Sequence, residues 1–298
     1  MVRISTHNVN GIRAAQRRGL GDWYAQAGDV VALQEVRCRP ADLPPAAFGE
    51  FHATYEPGEL AGRNGVAVLT REAPLRVRTL SGSALSIAPG GDPQPTDAQL
   101  IANRELRRHA VEGRYVEVDL ADAPLRVASL YLPKGAVPEH HARPSETPDQ
   151  AKYDRKMRFM AGLGRLLTAS RREAAAEGRE FLVMGDFNVA HTELDLKNWR
   201  TNQRSEGFLP EERDWFGSIT SPRTLVDVTR ALHPGAYGPY SWWSWRGQAF
   251  TTDAGWRIDY HLASPGLARR ATQSWVDRAP DYDSRISDHA PVVAEYAL

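Results

Sequence analysis

Eleven short apolar runs, parted by turn-forming residues, extend along the chain, and only one segment suits a long amphipathic helix. The runs fall at residues 2–7, 30–34, 51–55, 65–70, 76–80, 114–120, 125–131, 181–184, 258–263, 271–276 and 292–296. The helical segment covers about 148–172. Tyr153, Met157, Met160, Leu163 and Leu167 recur there at steps of three or four, which leaves Lys152, Arg155, Lys156 and Arg165 outside. Shorter helices are expected at 21–27, 41–48, 210–216 and 226–232. Many strands with few, scattered helices do not suit a regular alternation of strand and helix around a parallel sheet. They suit two stacked mixed β-sheets with helices on the outer faces, an α/β architecture.

No repeat and no break in composition divides the 298 residues, so one domain spanning 1–298 is expected. Apolar residues make up 42%, enough for a sizeable core. Two segments look like surface loops: 89–96, rich in glycine and proline, and 134–148, with Pro138, Pro144 and Pro148. The 37 basic and 37 acidic residues cancel, so binding of nucleic acid has to come from local charge. The single cysteine, Cys38, excludes an internal disulfide and fits a reducing compartment; with no pairing pattern around it, it reads as a passive thiol. No apolar leader precedes the first strand, and no run of about 18 apolar residues suits a membrane span. The expectation is a soluble cytoplasmic monomer, and arginine in place of lysine suggests a GC-rich bacterial genome.

Chemistry gathers where strands end. Phe181-Leu-Val-Met-Gly-Asp186-Phe-Asn188 closes one apolar run, and Ser287-Asp288-His289-Ala-Pro-Val292 leads into another. If those strands are neighbours, Asp186, Asn188, Asp288 and His289 converge on one cleft. They would supply a general base, hydrogen-bond donors and ligands for a hard cation. Asn8 follows the first strand and Glu35 the second. Read alone, Asn8-Val-Asn10-Gly11 serves equally as turn chemistry and Glu35 as a solvated strand end. Together with the other two segments they give carboxylate and amide oxygens with few nitrogens, a donor set for Mg²⁺ or Mn²⁺ rather than zinc. Asp259 lies where it can orient His289, unless it pairs with Arg257 on the surface. In Tyr240-Ser-Trp242-Trp243-Ser-Trp245, alternation sends Trp242 and Trp243 to opposite faces. Such rings serve either as core or as a platform for a sugar or base. The stretches 104–114 and 197–204 lean basic, and read as solvated surface unless they flank the cleft.

With these segments assembled, the chain resembles the exonuclease III type of abasic-site endonuclease. The resemblance runs in order through Asn8-Val-Asn10-Gly-Ile-Arg13, Leu33-Gln-Glu35, Asn64-Gly-Val-Ala-Val-Leu-Thr70, Tyr131-Leu-Pro-Lys-Gly135, Gly185-Asp-Phe-Asn188, Ala190-His-Thr-Glu-Leu-Asp-Leu-Lys-Asn198, Gly207-Phe-Leu-Pro-Glu-Glu-Arg213, Asp227-Val-Thr-Arg230, Trp256-Arg-Ile-Asp259 and Ser287-Asp-His289. It implies a four-layer α/β sandwich with one divalent-metal cleft. It also implies Mg²⁺-dependent cleavage 5′ to abasic sites in duplex DNA, with 3′–5′ exonuclease and 3′-end trimming. Asn8, Glu35, Asp186, Asn188, Asp288 and His289 match positions at or around the metal. Asp186 matches the proposed base for water and Asn188 a stabiliser of the transition state. Asp259 and His289 match the pair that polarises the phosphate, and Tyr131 the catalytic tyrosine. Trp242, Trp256 and Ile258 match the pocket for a flipped, baseless sugar, while Asn198 and Asn202 fall at substrate-contacting positions; Arg104, in the first basic stretch, would add a phosphate contact if that stretch flanks the cleft. Lys134 stands where the family usually has an amide, the 89–96 loop looks longer than usual, and Ser205 replaces an asparagine found in some relatives. Two other readings keep parts of this pattern: a phosphatase for inositol phosphates or sphingolipids, and a DNA-binding relative without catalysis.

Overall fold

The computed structural model describes residues 1–60 and 62–298. Its strands are β1 (Val2–Asn8), β2 (Val30–Gln34), β3 (His52–Glu56), β4 (Val66–Thr70), β5 (Arg76–Thr79), β6 (Ser83–Ile87), β7 (Gln94–Asp97), β8 (Gln99–Leu100), β9 (Tyr115–Asp119), β10 (Leu125–Tyr131), β11 (Glu180–Asp186), β12 (Val226–Asp227), β13 (Asp259–Ala263), β14 (Ala271–Val276) and β15 (Val292–Tyr296). They form two mixed sheets. The eight-stranded sheet runs β14-β15-β1-β2-β4-β3-β6-β7, and the seven-stranded sheet β12-β13-β11-β10-β9-β5-β8. This is the sandwich expected from the strand-rich pattern.

The sheets face each other through Ile4, Ala32, Val68, Val127, Leu182 and Met184, all fully buried. Val30-Val-Ala-Leu-Gln34 and Val66-Ala-Val-Leu-Thr70 are covered on both faces, which is why they read as unbroken apolar runs rather than as an alternation. Removing one such side chain, as in Leu182→Ala, costs about 2–5 kcal/mol through lost burial and a residual cavity. The outer face of the eight-stranded sheet packs on Trp23, Tyr24, Phe48 and Phe51. The outer face of the seven-stranded sheet packs on the long helix Gln150–Ala176 and on Phe216 of the helix Pro210–Ile219. No helix among the described residues is long and apolar enough to cross a membrane.

Several expectations need correction. The segment 89–96 is not all loop: its last residues enter β7, an exposed edge strand paired with β6. Residues 41–48 hold the end of a short 3-10 helix, Pro40–Asp42, and the turns after it, rather than an α-helix. The buried stripe of the long helix runs through Lys156, Phe159, Leu163, Leu166, Ser170 and Ala174, so Lys156 is inside, not outside. A charge read as solvated is held there by Glu212, at 2.6 Å, in a fully buried pair.

The topology brings the chemistry to one rim. β1 and β2 are parallel, as are β10 and β11, so Asn8, Glu35, Tyr131 and Asp186 emerge where these four strands end. β13 and β15 run antiparallel to their neighbours, and so begin where those strands end. Asp259 therefore lies opposite Asp186 in register, and His289 leads into β15 beside β1.

Candidate active site

The four strand ends leave a cleft of about 440 Å³, lined among others by Asn10, Glu35, Arg37, Tyr131, Asp186, Asn188, Asp288 and His289. The backbone at its floor is unusual. Asn10, Glu35, Arg37 and Asn188 adopt φ of 46–51°, the left-handed region, as does the nearby Asn64 at 53°. Asparagine tolerates this; glutamate and arginine do so at a cost of about 1–2 kcal/mol each. Such cost concentrated at one cleft marks a place where side-chain aim outweighs backbone comfort. Gly185 has φ 140°, and a Cβ there would collide with the Leu130 carbonyl, so glycine alone lets β11 deliver Asp186 so close to β10.

Asn8 Nδ2 donates to Glu35 Oε1 at 2.7 Å and to Asp186 Oδ2 at 3.0 Å, while its Oδ1 accepts the Asn10 N–H at 3.0 Å. The opposite amide orientation would set an oxygen against two carboxylates, so Asn8 presents its nitrogen to the acids. Asp186 Oδ1 accepts the Asn188 N–H at 2.8 Å, and Asn188 Nδ2 donates to the Leu132 carbonyl at 2.9 Å and to Asp186 Oδ2 at 3.2 Å. Burial, helped by the Asp259 and Glu35 charges, pushes Asp186 up to about 7 against the opposing pull of His289. The ligand atoms of Glu35, Asp186 and His289 all lie within 4.8 Å of one another, and the two carboxylates among them could hold a metal ion.

His289 is held from behind. Asp259 Oδ2 meets its Nδ1 at 2.9 Å and accepts the Ser241 hydroxyl at 2.6 Å. Ser241 Oγ in turn accepts the Ile258 and Asp259 N–H groups, both at 3.2 Å. On the cleft side, His289 Nε2 stands 3.8 Å from Asp186 Oδ2. Burial opposes a charge on His289, but Asp259 foremost, then Asp186 and Asp288, outweigh it and push its pKa up to about 10. The imidazole is therefore a cation with its Nε2–H turned into the cleft. Asp288 accepts from Asn10 Nδ2 at 2.8 Å and from Trp242 Nε1 at 3.1 Å. Burial would raise its pKa, yet His289 and those two donors hold it below the usual carboxylate range. The Tyr131 phenol lines the same cleft; burial first, then Glu35 and Asp186, pushes it up, so it remains a donor.

Across the cleft stand Trp242, Trp256 and Ile258. The two indoles meet edge to face at 6.3 Å, with Ile258, Leu196 and Phe208 packed behind. Trp243 points the other way, into core with Phe250. Gly207 supplies the bed for Trp256: a Cβ there would press on the ring at 3.3 Å.

Irregular segments carry this wall, and buried ions fix them. Arg257 Nε donates to Asp195 Oδ1 at 2.7 Å, and its two terminal nitrogens grip Asp227 at 2.7 and 3.1 Å. Arg230 Nη2 joins Asp195 Oδ1 at 2.5 Å. Asp195 also closes the turn at Thr192. Burial alone would raise Asp195; the two guanidinium groups hold it well below the ordinary range. Arg257 thus pairs inside the protein and leaves Asp259 to His289. A second pair lies behind Asn188. Lys156 Nζ donates to the Asn188 and Lys134 carbonyls at 2.8 and 3.1 Å, and Glu212 accepts the Gly207 and Leu209 N–H groups at 2.7 and 3.1 Å.

The structure brings Asn8, Glu35, Tyr131, Asp186, Asn188, Asp259, Asp288 and His289 together with Trp242, Trp256 and Ile258. Asn202 reaches the cleft edge, but its Nδ2 turns back to the Asn198 carbonyl at 2.9 Å and its Oδ1 accepts from Ser205. Asn198 and Arg104 are exposed and do not line the cleft. Sequence reasoning passed over Arg37, whose guanidinium lies on the Glu35 carboxylate and donates to Asn10 Oδ1 at 2.5 Å. It also passed over Ser241 and the buried Lys156–Glu212 pair. Glu212 lay inside the 207–213 signature segment and Lys156 on the helix's buried stripe, while Ser241 lay in no such segment.

A rim of carboxylates around an ionised imidazole, set at strand ends of a two-sheet sandwich, is the equipment of a phosphoester hydrolase. The endonuclease/exonuclease/phosphatase family model matches residues 5–289, and the chain belongs to that family. It is 28% identical over 296 residues to an exodeoxyribonuclease of Bacillus subtilis, covering 98% of both chains. It is also 28% identical to the DNA repair nuclease APEX1 of Danio rerio, covering all of this chain and 83% of that one. An AP endonuclease structure from Archaeoglobus fulgidus superposes with a TM-score of 0.76 at 24% identity, over the full length of both, and shares the fold.

Proposed function

We propose that this protein is a Mg²⁺-dependent DNA repair phosphodiesterase that cuts the strand 5′ to an abasic site in duplex DNA, leaving a 3′-hydroxyl. The same site would trim 3′ ends and degrade duplex DNA from them. The observation that carries this reading is the facing of two unlike walls across one cleft. The Glu35–Asp186–His289 constellation lies on one side and the Trp242–Trp256–Ile258 slot on the other. The exodeoxyribonuclease and DNA repair nuclease among the relatives support DNA as substrate.

The site fits a hard cation. Glu35 and Asp186 offer oxygens, and the Asn8 amide steers both toward one point. Mg²⁺ or Mn²⁺ held there would offset charge on the scissile phosphate and the leaving oxygen. Asp186, raised toward neutrality and aimed by the Asn188 N–H, suits alignment and deprotonation of water. His289, kept cationic by Asp259, donates to the charge that builds on phosphorus-bound oxygens. Tyr131, kept protonated, does the same, while the Asn188 amide donates to the Leu132 carbonyl and to Asp186 and holds that carboxylate in place. A sugar without a base unstacks cheaply and enters the aromatic slot that an intact nucleotide overfills. An apolar slot is a poor seat for an inositol polyphosphate, which argues against the phosphatase reading.

The duplex backbone would lie along the adjoining groove of about 1140 Å³, where Arg37, Arg63, Arg114, Lys134, Lys152 and Arg155 gather. The chain would act as a single catalytic unit, as a monomer, in the bacterial cytoplasm where the nucleoid lies. The test is incubation with Mg²⁺, a duplex carrying one tetrahydrofuran abasic analogue and, separately, an inositol polyphosphate. The expected result is incision 5′ to the analogue. Phosphate release from the inositol compound without strand incision would overturn the proposal.

A further inference from the structure

A second cluster of metal-ligating groups lies away from the cleft, on the proline-rich loop. His140 and His141 bring their Nε2 atoms to Glu211 Oε1 at 3.2 and 3.1 Å, and His141 reaches Glu211 Oε2 at 3.3 Å. All three ligand atoms fall within 4.8 Å of one another. We propose that His140, His141 and Glu211 form a zinc-class metal site, separate from the hard-cation site of the cleft.

Geometry carries the argument. Zinc binds imidazole nitrogen and carboxylate oxygen at about 2.0–2.2 Å in a tetrahedron, so its ligand atoms stand about 3.3 Å apart. The two imidazole separations from Glu211 Oε1, 3.2 and 3.1 Å, match two edges of such a tetrahedron, and the two ring nitrogens lie within 4.8 Å of each other. One carboxylate oxygen needs one imidazole partner; here two converge on it, with ring centroids 4.5 Å apart. Chemistry separates this cluster from the first. The cleft offers carboxylates and an imidazole held as a cation, whereas this cluster offers two imidazoles and one carboxylate, a softer set that favours zinc over magnesium. His140 and Glu211 are partly exposed, so an ion can enter and water can complete the shell.

The ligands are presented by chain that backbone hydrogen bonds tie down. The Asp149 N–H closes the loop onto the Val137 carbonyl at 3.0 Å, and the His141 N–H bonds the Pro138 carbonyl at 3.1 Å. Glu211 stands in the first turn of the helix Pro210–Ile219, and the next residue, Glu212, holds Lys156 and the Gly207 bed of Trp256. An ion here would clip the loop to the element that supports the aromatic wall.

The test is calorimetric titration of metal-stripped protein with Zn²⁺ in excess Mg²⁺, which keeps the cleft site filled. The wild type should take up one zinc ion more tightly than it takes magnesium. His141→Ala and Glu211→Gln should each weaken that binding at least about tenfold, the usual scale for disturbing a metal site. Asp186→Asn should leave it intact. Zinc should also raise the melting temperature of the wild type and not that of either ligand variant. Zinc binding at wild-type strength by His141→Ala and Glu211→Gln, or loss of the zinc site in Asp186→Asn, would overturn the proposal by placing the ion in the cleft. Absence of any zinc-specific uptake by the wild type would overturn it outright.

Discussion

The two walls of the cleft are built by different means. Asn8, Glu35, Asp186, Asp259 and His289 sit on or beside the ends of strands whose hydrogen-bonded register fixes where each side chain points. Trp242, Trp256 and Ile258 sit on irregular chain, with isolated bridges and buried ion pairs in place of a sheet. The catalytic wall inherits its precision from the fold; the aromatic wall borrows its own from Arg257, Asp195, Asp227, Lys156 and Glu212. One fold can therefore keep its phosphoester chemistry while its specificity wall changes. Damage to either wall should be distinguishable in the test tube.

The sharpest break of the catalytic wall is removal of metal. EDTA should abolish incision of abasic and 3′-phosphate substrates alike, and Mg²⁺ or Mn²⁺ should restore both. Retention of one activity in EDTA would mean that the two do not share a site. Next in size, Asp186→Asn and His289→Ala should each lower kcat at least about a hundredfold on both substrates. Filter binding of abasic duplex should persist in both variants. A parallel loss of binding and turnover would reassign these residues to positioning the DNA.

The ion pairs behind the aromatic wall predict a stability effect. Asp195→Asn removes the foremost counter-charge of buried Arg257 and leaves Asp227 alone to balance it, a change that costs about 1–3 kcal/mol. Because the Asp195 pKa is depressed in the folded state, its contribution is fully present above about pH 4 and is lost as pH falls below that. Urea unfolding at pH 7 should show the loss, and the gap between wild type and variant should narrow toward pH 2. A gap that is constant with pH would point to packing rather than charge. Smaller still, Ser241→Ala removes one donor from Asp259 and should lower kcat about tenfold, with KM little changed. A rise in KM alone would tie Ser241 to the aromatic wall instead.

How much of this was legible in the sequence follows the same division. Apolar runs locate buried strands, and the polar residue closing each run locates the catalytic wall; Asp186 and Glu35 could be read this way. β7, β8 and β12 escaped because edge strands are polar, short or proline-bearing and lack the pattern of a covered strand; β6, one strand in from the edge, escaped because its serines leave it half-buried. Lys156 was misplaced because charge was taken as the sign of solvent, although its position lies on the helix's buried stripe. Ser241 gives no periodic signal, and its role exists only through contacts with residues 17 and 18 positions away. The aromatic wall was read through resemblance; alternation alone separated Trp242 from Trp243 but could not say which one faced a cleft. Asn198, carried over in the same way, and Arg104, taken from a basic stretch, lie outside the cleft lining.

The separability of the two walls is tested most directly by kcat/KM of the wild type and Trp256→Ala on two substrates, an abasic duplex and a duplex ending in a 3′-phosphate. Packing of an aromatic ring against a bound sugar is worth about 1–3 kcal/mol, so abasic incision should fall roughly ten- to hundredfold. Removal of the 3′-phosphate, which needs no deeply seated baseless sugar, should fall far less. Equal losses on both substrates would show that Trp256 supports the whole cleft, and would contradict the division between a wall for chemistry and a wall for specificity.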